Sequence, residues 1–124
     1  MVDKPVLTPG PDHPITVEAA PNRVVVTFAG HTIADTKGAL ALREASYPVR
    51  YYIPRADADL SVLERTEHET YCPFKGDAAY YSIRTGDHVA ENVVWTYEQP
   101  YPAVAEIKDH LAFYPGQVEI SEES

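Results

Sequence analysis

The sequence predicts a single, mainly-β domain with one or two short helices. Two runs of β-branched and aromatic residues, Val24–Thr27 and Ala79–Ile83, have the composition of half-buried strands. Val93, Trp95 and Tyr97 recur at every second position, which is the period of a strand. A chain of 124 residues has the length of one domain. These observations together predict antiparallel strands joined by short turns.

The predicted division of the chain follows its proline content and its hydrophobic patterning. Residues 1–22 contain five prolines and no hydrophobic period, so we predict an extended N-terminal arm that wraps the domain. The β-domain is predicted to span residues 23–120, and residues 121–124 form a polar tail. The sequence shows no internal repeat and no second domain.

The first half of the domain is predicted to contain a hairpin and an edge strand. Arg23–Phe28 and His31–Thr36 flank a two-residue turn and form the hairpin. Residues 37–44 fit either a short helix or an irregular strand, because Gly38 weakens a helix. Prolines bracket residues 47–54, so we expect a short strand at a sheet edge there.

Two more hairpins are predicted in the second half. Ala79–Arg84 and Glu91–Glu98 are predicted to pair, and so are Leu111–Tyr114 and residues 118–120. A short helix is predicted over residues 102–109, because proline suits the first turn of a helix.

Charge and composition argue against several functional classes. The chain has 10 Lys+Arg against 19 Asp+Glu, which gives a formal net charge of −9. Its basic residues are scattered, whereas nucleic-acid binding needs a clustered basic face, so no nucleic-acid partner is expected. No long apolar run or basic amphipathic helix is visible, so no membrane partner is expected. The single cysteine cannot form an internal disulfide, and the N terminus lacks an apolar leader, so the expected location is cytoplasmic.

Cys72 is the sharpest catalytic candidate, with Lys75 beside it. A thiol becomes a nucleophile when a nearby cation lowers its pKa, and Lys75 or Arg55 would supply that cation. His31 or His68 would act as the base. The alternative is a small buried side chain that fills the junction of the sheets.

The candidate ligand-binding residues are cationic, acidic and aromatic. Arg55 with Asp57 either positions a polar ligand or forms a surface ion pair worth less than about 1 kcal/mol. Tyr52, Tyr80 and Trp95 either line an aromatic pocket or belong to the core. The histidines show no ligand spacing with one another or with the cysteine, so neither a metal site nor a cofactor is expected.

Several short motifs, in their order along the chain, carry a resemblance to a known family. They are His13-Pro14-Ile15, Ile33-Ala34-Asp35-Thr36, Tyr51-Tyr52-Ile53-Pro54-Arg55, Thr70-Tyr71-Cys72-Pro73-Phe74-Lys75-Gly76, Trp95-Thr96-Tyr97-Glu98 and Ala112-Phe113-Tyr114-Pro115. Together they cover about residues 13–120 and resemble the bacterial family called domain of unknown function 427. The resemblance implies a β-tent-like fold, in which two small antiparallel sheets lean together over a polar-lined cleft. It implies no established activity, and the Gly-Ser motif with paired aspartates expected of a nucleotidyltransferase is not visible.

The leading functional hypothesis is a cleft near Cys72 that binds a small polar or anionic metabolite. The sulfur is expected in a wet hollow between the two sheets, within reach of positive side chains. One alternative is a thiol-dependent enzyme with Cys72 as nucleophile or redox centre. Another is a non-enzymatic module that forms homodimers through an edge strand or through the arm.

Overall fold

The structure is a computed structural model that describes residues 4–123, so the predicted arm and tail lie partly outside it. Ten strands form two antiparallel sheets, which confirms the mainly-β prediction. The strands are Ile15–Ala19 (β1), Arg23–Phe28 (β2), His31–Thr36 (β3), Leu40–Glu44 (β4), Arg50–Pro54 (β5), Leu63–Cys72 (β6), Gly76–Thr85 (β7), His88–Thr96 (β8), His110–Phe113 (β9) and Glu119–Glu123 (β10).

The two sheets differ in size. The larger has seven strands in the order β1-β4-β5-β9-β8-β7-β6, and the smaller has three in the order β10-β2-β3. Helical structure in residues 4–123 is limited to three short 3₁₀ segments, Arg55–Asp57, Leu60–Val62 and Pro102–Ile107. The last of these begins at Pro102, as predicted. With seven strands, the larger sheet is bigger than the small sheets that the family resemblance implied.

Two strands pair differently from the prediction. The edge position predicted for β5 is wrong, because β5 lies between β4 and β9. Its proline, Pro54, is tolerated there because it is the last residue of the strand. The predicted hairpin of β9 and β10 is also wrong: β9 pairs with β5 and β8, whereas β10 pairs with β2 in the smaller sheet. Ser121–Glu123 of the predicted tail therefore belong to a strand.

The structure also settles the conformation of residues 37–44, which fitted either a helix or a strand, and the face of β8 on which Val93 lies. Residues 40–44 are a strand, and Gly38 precedes it. Val93 was expected to share a face with Trp95, but it packs in the same apolar group as Val94. A bulge in the β7–β8 pairing, beside Asn92 with φ of +54°, interrupts the alternation of side chains.

The larger sheet presents two faces with different surroundings. Its inner face packs against the smaller sheet and forms a closed apolar core that includes Ala41, Ile53, Tyr81, Ile83, Val94 and Leu111 with Val24, Val26 and Ile33 of the smaller sheet. Its outer face carries Leu42, Tyr52, Ala78, Tyr80, Trp95 and Ala112, and it is covered in part by Val104 and Ile107 of the last 3₁₀ segment. The outer face is therefore only partly closed.

The N-terminal arm follows the β6–β7 hairpin before it joins the sheet. The Lys4 ammonium lies 2.7 Å from the Asp77 carboxylate, and the Leu7 amide donates to the Pro73 carbonyl at 2.9 Å. The strand β1 then pairs with β4 at the edge of the larger sheet. In the described part of the chain, no helix is both long and apolar enough to span a bilayer.

Candidate functional site

A cavity of about 230 Å³ opens on the outer face of the larger sheet. Its lining combines six aromatic side chains with two cations and one carboxylate. We call it the outer-face cavity; its lining residues are Leu42, Glu44, Tyr47, Pro48, Arg50, Tyr52, Lys75, Tyr80, Trp95, Tyr97 and Tyr114.

The alternation of side chains along two neighbouring strands builds one wall of the outer-face cavity. Leu42 and Glu44 are two residues apart on β4, so both side chains point to the outer face. Arg50 and Tyr52 bear the same relation on β5, and β4 and β5 are paired with Leu42 opposite Arg50. The polar pair Glu44 and Arg50 thus lies toward the loop that joins the two strands.

A buried ion pair closes one end of the outer-face cavity. The Lys75 ammonium donates to the Glu44 carboxylate, and the two side chains are only 10% and 14% exposed. The second oxygen of Glu44 lies 2.7 Å from Nε2 of His13. The His13 ring stacks on Phe74 with centroids 4.1 Å apart. Glu44 therefore joins three segments that are far apart in sequence.

The loop that carries Lys75 is held tightly by its backbone. The Lys75 amide donates to the Cys72 carbonyl at 3.1 Å, and the Lys75 carbonyl accepts from the Tyr101 amide at 3.0 Å. Gly76 follows with φ of +111°, and a Cβ there would lie 3.3 Å from the Gln99 carbonyl oxygen. Glycine thus allows the close approach that turns Lys75 into the cavity.

Glu44 is ionised because its partners overcome its burial. Burial raises the pKa of Glu44, but the hydrogen bonds from Lys75 and His13 outweigh that effect, and the pKa falls below its usual value. Removing two charges from water is costly, and their mutual attraction often does no more than offset that cost. The burial of the Glu44–Lys75 pair is therefore not evidence that the pair stabilises the fold.

The aromatic wall is centred on Trp95. Its indole N–H donates to the Tyr52 hydroxyl at 3.1 Å, and the two rings meet edge to face. The Tyr114 ring lies 4.5 Å from the Trp95 ring, centroid to centroid. Tyr47 is 63% exposed, stands at the rim, and contacts the edge of the His13 ring.

Arg50 and the buried Tyr97 are donors of the outer-face cavity that have no partner in residues 4–123. Arg50 forms no ion pair within that range. The Tyr97 hydroxyl has no hydrogen-bond partner there either, although the residue is only 5% exposed. Within the same range, Thr85 Oγ1 is the one fully buried side-chain polar atom without a hydrogen-bond partner. The Tyr97 oxygen is therefore not fully buried, and the Tyr97 side chain lines the outer-face cavity.

Three tyrosines of the outer-face cavity, Tyr52, Tyr97 and Tyr114, have raised pKa values and are neutral donors at physiological pH. Burial, with the nearby Tyr52 and Cys72 side chains, raises the pKa of Tyr97 far above its ordinary value. Burial likewise raises the pKa of Tyr52. Burial and the neighbouring Tyr80 hydroxyl raise the pKa of Tyr114 to about 12. The positive charge of Arg50, which lies near both hydroxyls, partly opposes the increase in pKa at Tyr52 and at Tyr114.

Four of the residues singled out by the sequence line the outer-face cavity: Lys75, Tyr52, Tyr80 and Trp95. Cys72 is a half-buried neighbour that packs against the apolar residues of the outer face, and it is not one of the lining residues. The cavity lies on the outer face. The prediction of a hollow between the two sheets is therefore wrong, because apolar side chains fill that space. His31, one of the two proposed bases, lies on the smaller sheet.

Arg55 and Asp57 are not brought to the cavity. They follow β5 on a 3₁₀ segment, where Arg55 donates to the Tyr81 hydroxyl at 3.1 Å and Asp57 accepts from Thr36 at 2.7 Å. Tyr81 belongs to the inner face. The two residues form neither a joint ligand site with Trp95 nor an ion pair with each other in the described structure.

Among the residues that line or support the cavity, the sequence did not single out Arg50, Tyr47, Tyr114 and His13 as ligand-binding. The sequence also allows Glu44 to pair with Asp35 as acid and base, but Asp35 pairs with Arg23 on the smaller sheet. The signal for Arg50 was its position two residues before Tyr52 on one strand, which places both on one face. No local signal links Glu44 to Lys75, because 31 residues separate them.

Among residues 4–123, no three His, Cys, Asp or Glu side chains gather as metal ligands. The outer-face cavity offers instead an aromatic surface, the Lys75 ammonium, the Arg50 guanidinium and tyrosine hydroxyl groups.

Comparison with known proteins places the chain in a family. A search of curated proteins found no match. The family model described as "Domain of unknown function (DUF427)" matches residues 16–124, which agrees with the motifs that the sequence shares with that family. Because the match spans most of the chain and takes in all ten strands but the first residue of β1, the protein belongs to the DUF427 family.

Proposed function

We propose that the outer-face cavity binds a small anionic metabolite. The observation that carries the proposal is the Arg50 guanidinium, which has no ion-pair partner in residues 4–123 and faces an aromatic-lined hollow. Arg50 is only partly buried, so its guanidinium stays accessible from the cavity, and no carboxylate in residues 4–123 neutralises its charge. An anion that enters the cavity therefore finds an unneutralised positive charge.

Charge supports an anion over a cation. The whole chain has a formal net charge of −9, yet the outer-face cavity has two basic residues against one carboxylate. The cavity is therefore a local positive region on a negative protein. Such a region concentrates anions and repels cations.

The size of the outer-face cavity limits the ligand. At about 230 Å³ it is smaller than the roughly 300–1,000 Å³ of sites that hold drug-sized molecules. A metabolite of modest size fits, whereas a nucleotide with several phosphates does not.

The test uses the fluorescence of Trp95, the only tryptophan in the chain. We expect metabolite-sized carboxylates and phosphate esters to change its emission saturably, because Trp95 lines the cavity. Arg50→Gln should weaken binding about tenfold or more, since hydrogen bonds to charged groups are among the strong ones. The matched control is Arg43→Gln, which alters an exposed arginine on the neighbouring strand β4. Equal binding by wild type and Arg50→Gln would refute the proposal.

The thiol-dependent enzyme and the homodimer stay predictions. Cys72 is half-buried beside the outer-face residues, and alkylation of the native protein by iodoacetamide measures its reactivity. The cytoplasm also stays the predicted location, on the basis of the single cysteine.

A further inference from the structure

We infer that the preferred ligand of the outer-face cavity is a planar carboxylate, with its carboxylate on Arg50 and its ring against Trp95. The inference rests on the proposed function and names the ligand class. It combines three observations: the balance of donors and acceptors, the shape of the aromatic wall and the volume.

The polar groups of the outer-face cavity are almost all donors. Arg50 and the Tyr97 hydroxyl have no partner in residues 4–123, and the Tyr52 hydroxyl accepts from Trp95 while its own proton stays free to donate. The carboxylate oxygens of Glu44 are already bonded to Lys75 and His13. A ligand amine would be repelled by Arg50, and the Lys75 ammonium already neutralises Glu44. An anion, by contrast, finds the Arg50 charge together with the hydroxyl donors of Tyr52 and Tyr97.

A carboxylate matches Arg50 better than a compact point charge would. The guanidinium presents parallel N–H groups that pair with both oxygens of a carboxylate. Arg50 lines the same cavity as Tyr52 and Tyr114, and it lies two residues from Tyr52 on the same face of β5. The carboxylate is thereby placed at the end of the aromatic wall.

The aromatic wall favours a flat body over a saturated one. The Tyr114 ring lies 4.5 Å from the Trp95 ring, centroid to centroid, and both Tyr114 and Tyr47 keep exposed surface where they line the cavity. Ring faces and edges attract other aromatic rings beyond the gain from burial alone. A planar ligand therefore finds aromatic surface on several sides of the cavity.

The volume matches one ring with a small substituent. An engineered protein cavity of about 150 Å³ is large enough to hold benzene. The 230 Å³ of the outer-face cavity therefore accepts a six-membered ring together with a carboxylate.

The experiment compares benzoate with three matched probes by Trp95 fluorescence and by calorimetry. Benzamide keeps the ring and removes the charge, cyclohexanecarboxylate keeps the charge and removes the planarity, and benzylamine reverses the charge. We expect benzamide to bind about tenfold or more weakly than benzoate. We expect cyclohexanecarboxylate to bind about fivefold more weakly, and benzylamine to show no saturable binding.

Each outcome decides a separate point. Equal affinity for benzoate and cyclohexanecarboxylate overturns the planar ligand but leaves an anion site in place. Equal affinity for benzoate and benzamide overturns the carboxylate. If benzoate, cyclohexanecarboxylate, acetate and inorganic phosphate all fail to bind, the proposed function fails together with the inference.

Three variants test the placement of the ligand. Arg50→Lys should keep the charge yet bind benzoate more weakly than wild type, because a lysine lacks the paired N–H groups. Tyr114→Leu should reduce the preference for benzoate over cyclohexanecarboxylate toward unity. Arg43→Gln should leave every affinity unchanged. Circular dichroism verifies that the Tyr114→Leu protein is folded. If that protein prefers benzoate over cyclohexanecarboxylate as strongly as the wild type does, the position assigned to the ring is wrong.

Discussion

The two faces of the larger sheet are built from the same strands, yet the inner face is closed and apolar whereas the outer face is partly open and holds a cavity. On β7, Tyr81 turns to the inner face and Tyr80 to the outer face. The inner face meets the smaller sheet along its length and is closed by aliphatic side chains such as Ile83 and Leu111, both fully buried. The outer face has only a short 3₁₀ segment over part of it, and the uncovered part holds the cavity.

Under the proposed function, this difference means that one face of the sheet provides stability and the other provides the binding site. Apolar contacts on the inner face need no charge and leave no donor for a ligand. The outer face keeps a buried ion pair and two unpartnered donors, Arg50 and Tyr97, which are costly in a core and useful in a binding site. The following predictions set matched substitutions on the two faces against each other.

The largest difference is expected for leucines. Leu111→Ala on the inner face should lower the free energy of unfolding by about 3–5 kcal/mol, because a tightly packed core relaxes little around the void. Leu42→Ala, almost as buried but lining the cavity, should cost about 2–3 kcal/mol, because side chains beside an open cavity can relax into the space that the leucine leaves. Urea unfolding measures both. A larger loss for Leu42→Ala would break the comparison.

The next effect concerns the buried carboxylate. Glu44→Gln leaves the Lys75 ammonium without its counter-charge and should cost about 2–3 kcal/mol at neutral pH. The control Glu64→Gln removes an exposed partner of Arg84, 55% exposed on each side, and should change stability by less than about 1 kcal/mol.

The Glu44 effect should depend on pH in a fixed direction. Because the pKa of Glu44 is lowered in the folded protein, its contribution is fully present above its unfolded pKa near 4.5. That contribution is lost as the pH falls through the lower folded pKa. The difference in unfolding free energy between wild type and Glu44→Gln should therefore be largest at neutral pH and shrink below about pH 4.5. A difference that grows on acidification would contradict the lowered pKa.

The smallest difference is expected for single hydroxyls. Tyr81→Phe removes the acceptor of the Arg55 guanidinium, 3.1 Å away, and should cost about 0.5–1.5 kcal/mol. Tyr97→Phe removes a hydroxyl without a partner in residues 4–123 and should be neutral for stability. Thermal unfolding of the two variants and of the wild type resolves the contrast. Equal destabilisation by both changes would mean that the Tyr97 hydroxyl is bonded after all.

The sequence predicted the parts of the fold that depend on local patterning. The β-branched run Val24–Thr27 predicted β2, and the turn at residues 29–30 predicted its pairing with β3. The final hairpin was mispredicted because a short turn between β9 and β10 was taken to imply pairing. The burial of Leu111 in one sheet and the pairing of β10 with β2 decided otherwise.

The candidate site was predicted where it depends on strand alternation and missed where it depends on long-range packing. Tyr52, Tyr80 and Trp95 were expected together because aromatic residues gather on a strand face, and they do line one cavity. Arg55 was expected beside them, but the chain leaves β5 in a 3₁₀ turn that carries it to Tyr81. The Glu44–Lys75 pair arises from the approach of a loop to the far end of another strand, which spacing along the chain does not encode.

The contrast between a negative chain and a positive hollow governs how a charged ligand arrives. An incoming anion crosses the field of a protein with a formal net charge of −9 before it reaches Arg50. Moderate salt screens that long-range repulsion and speeds association, whereas the short contact with the guanidinium is screened far less. The association rate should therefore rise with ionic strength, opposite to the behaviour of proteins that steer their ligands by overall attraction.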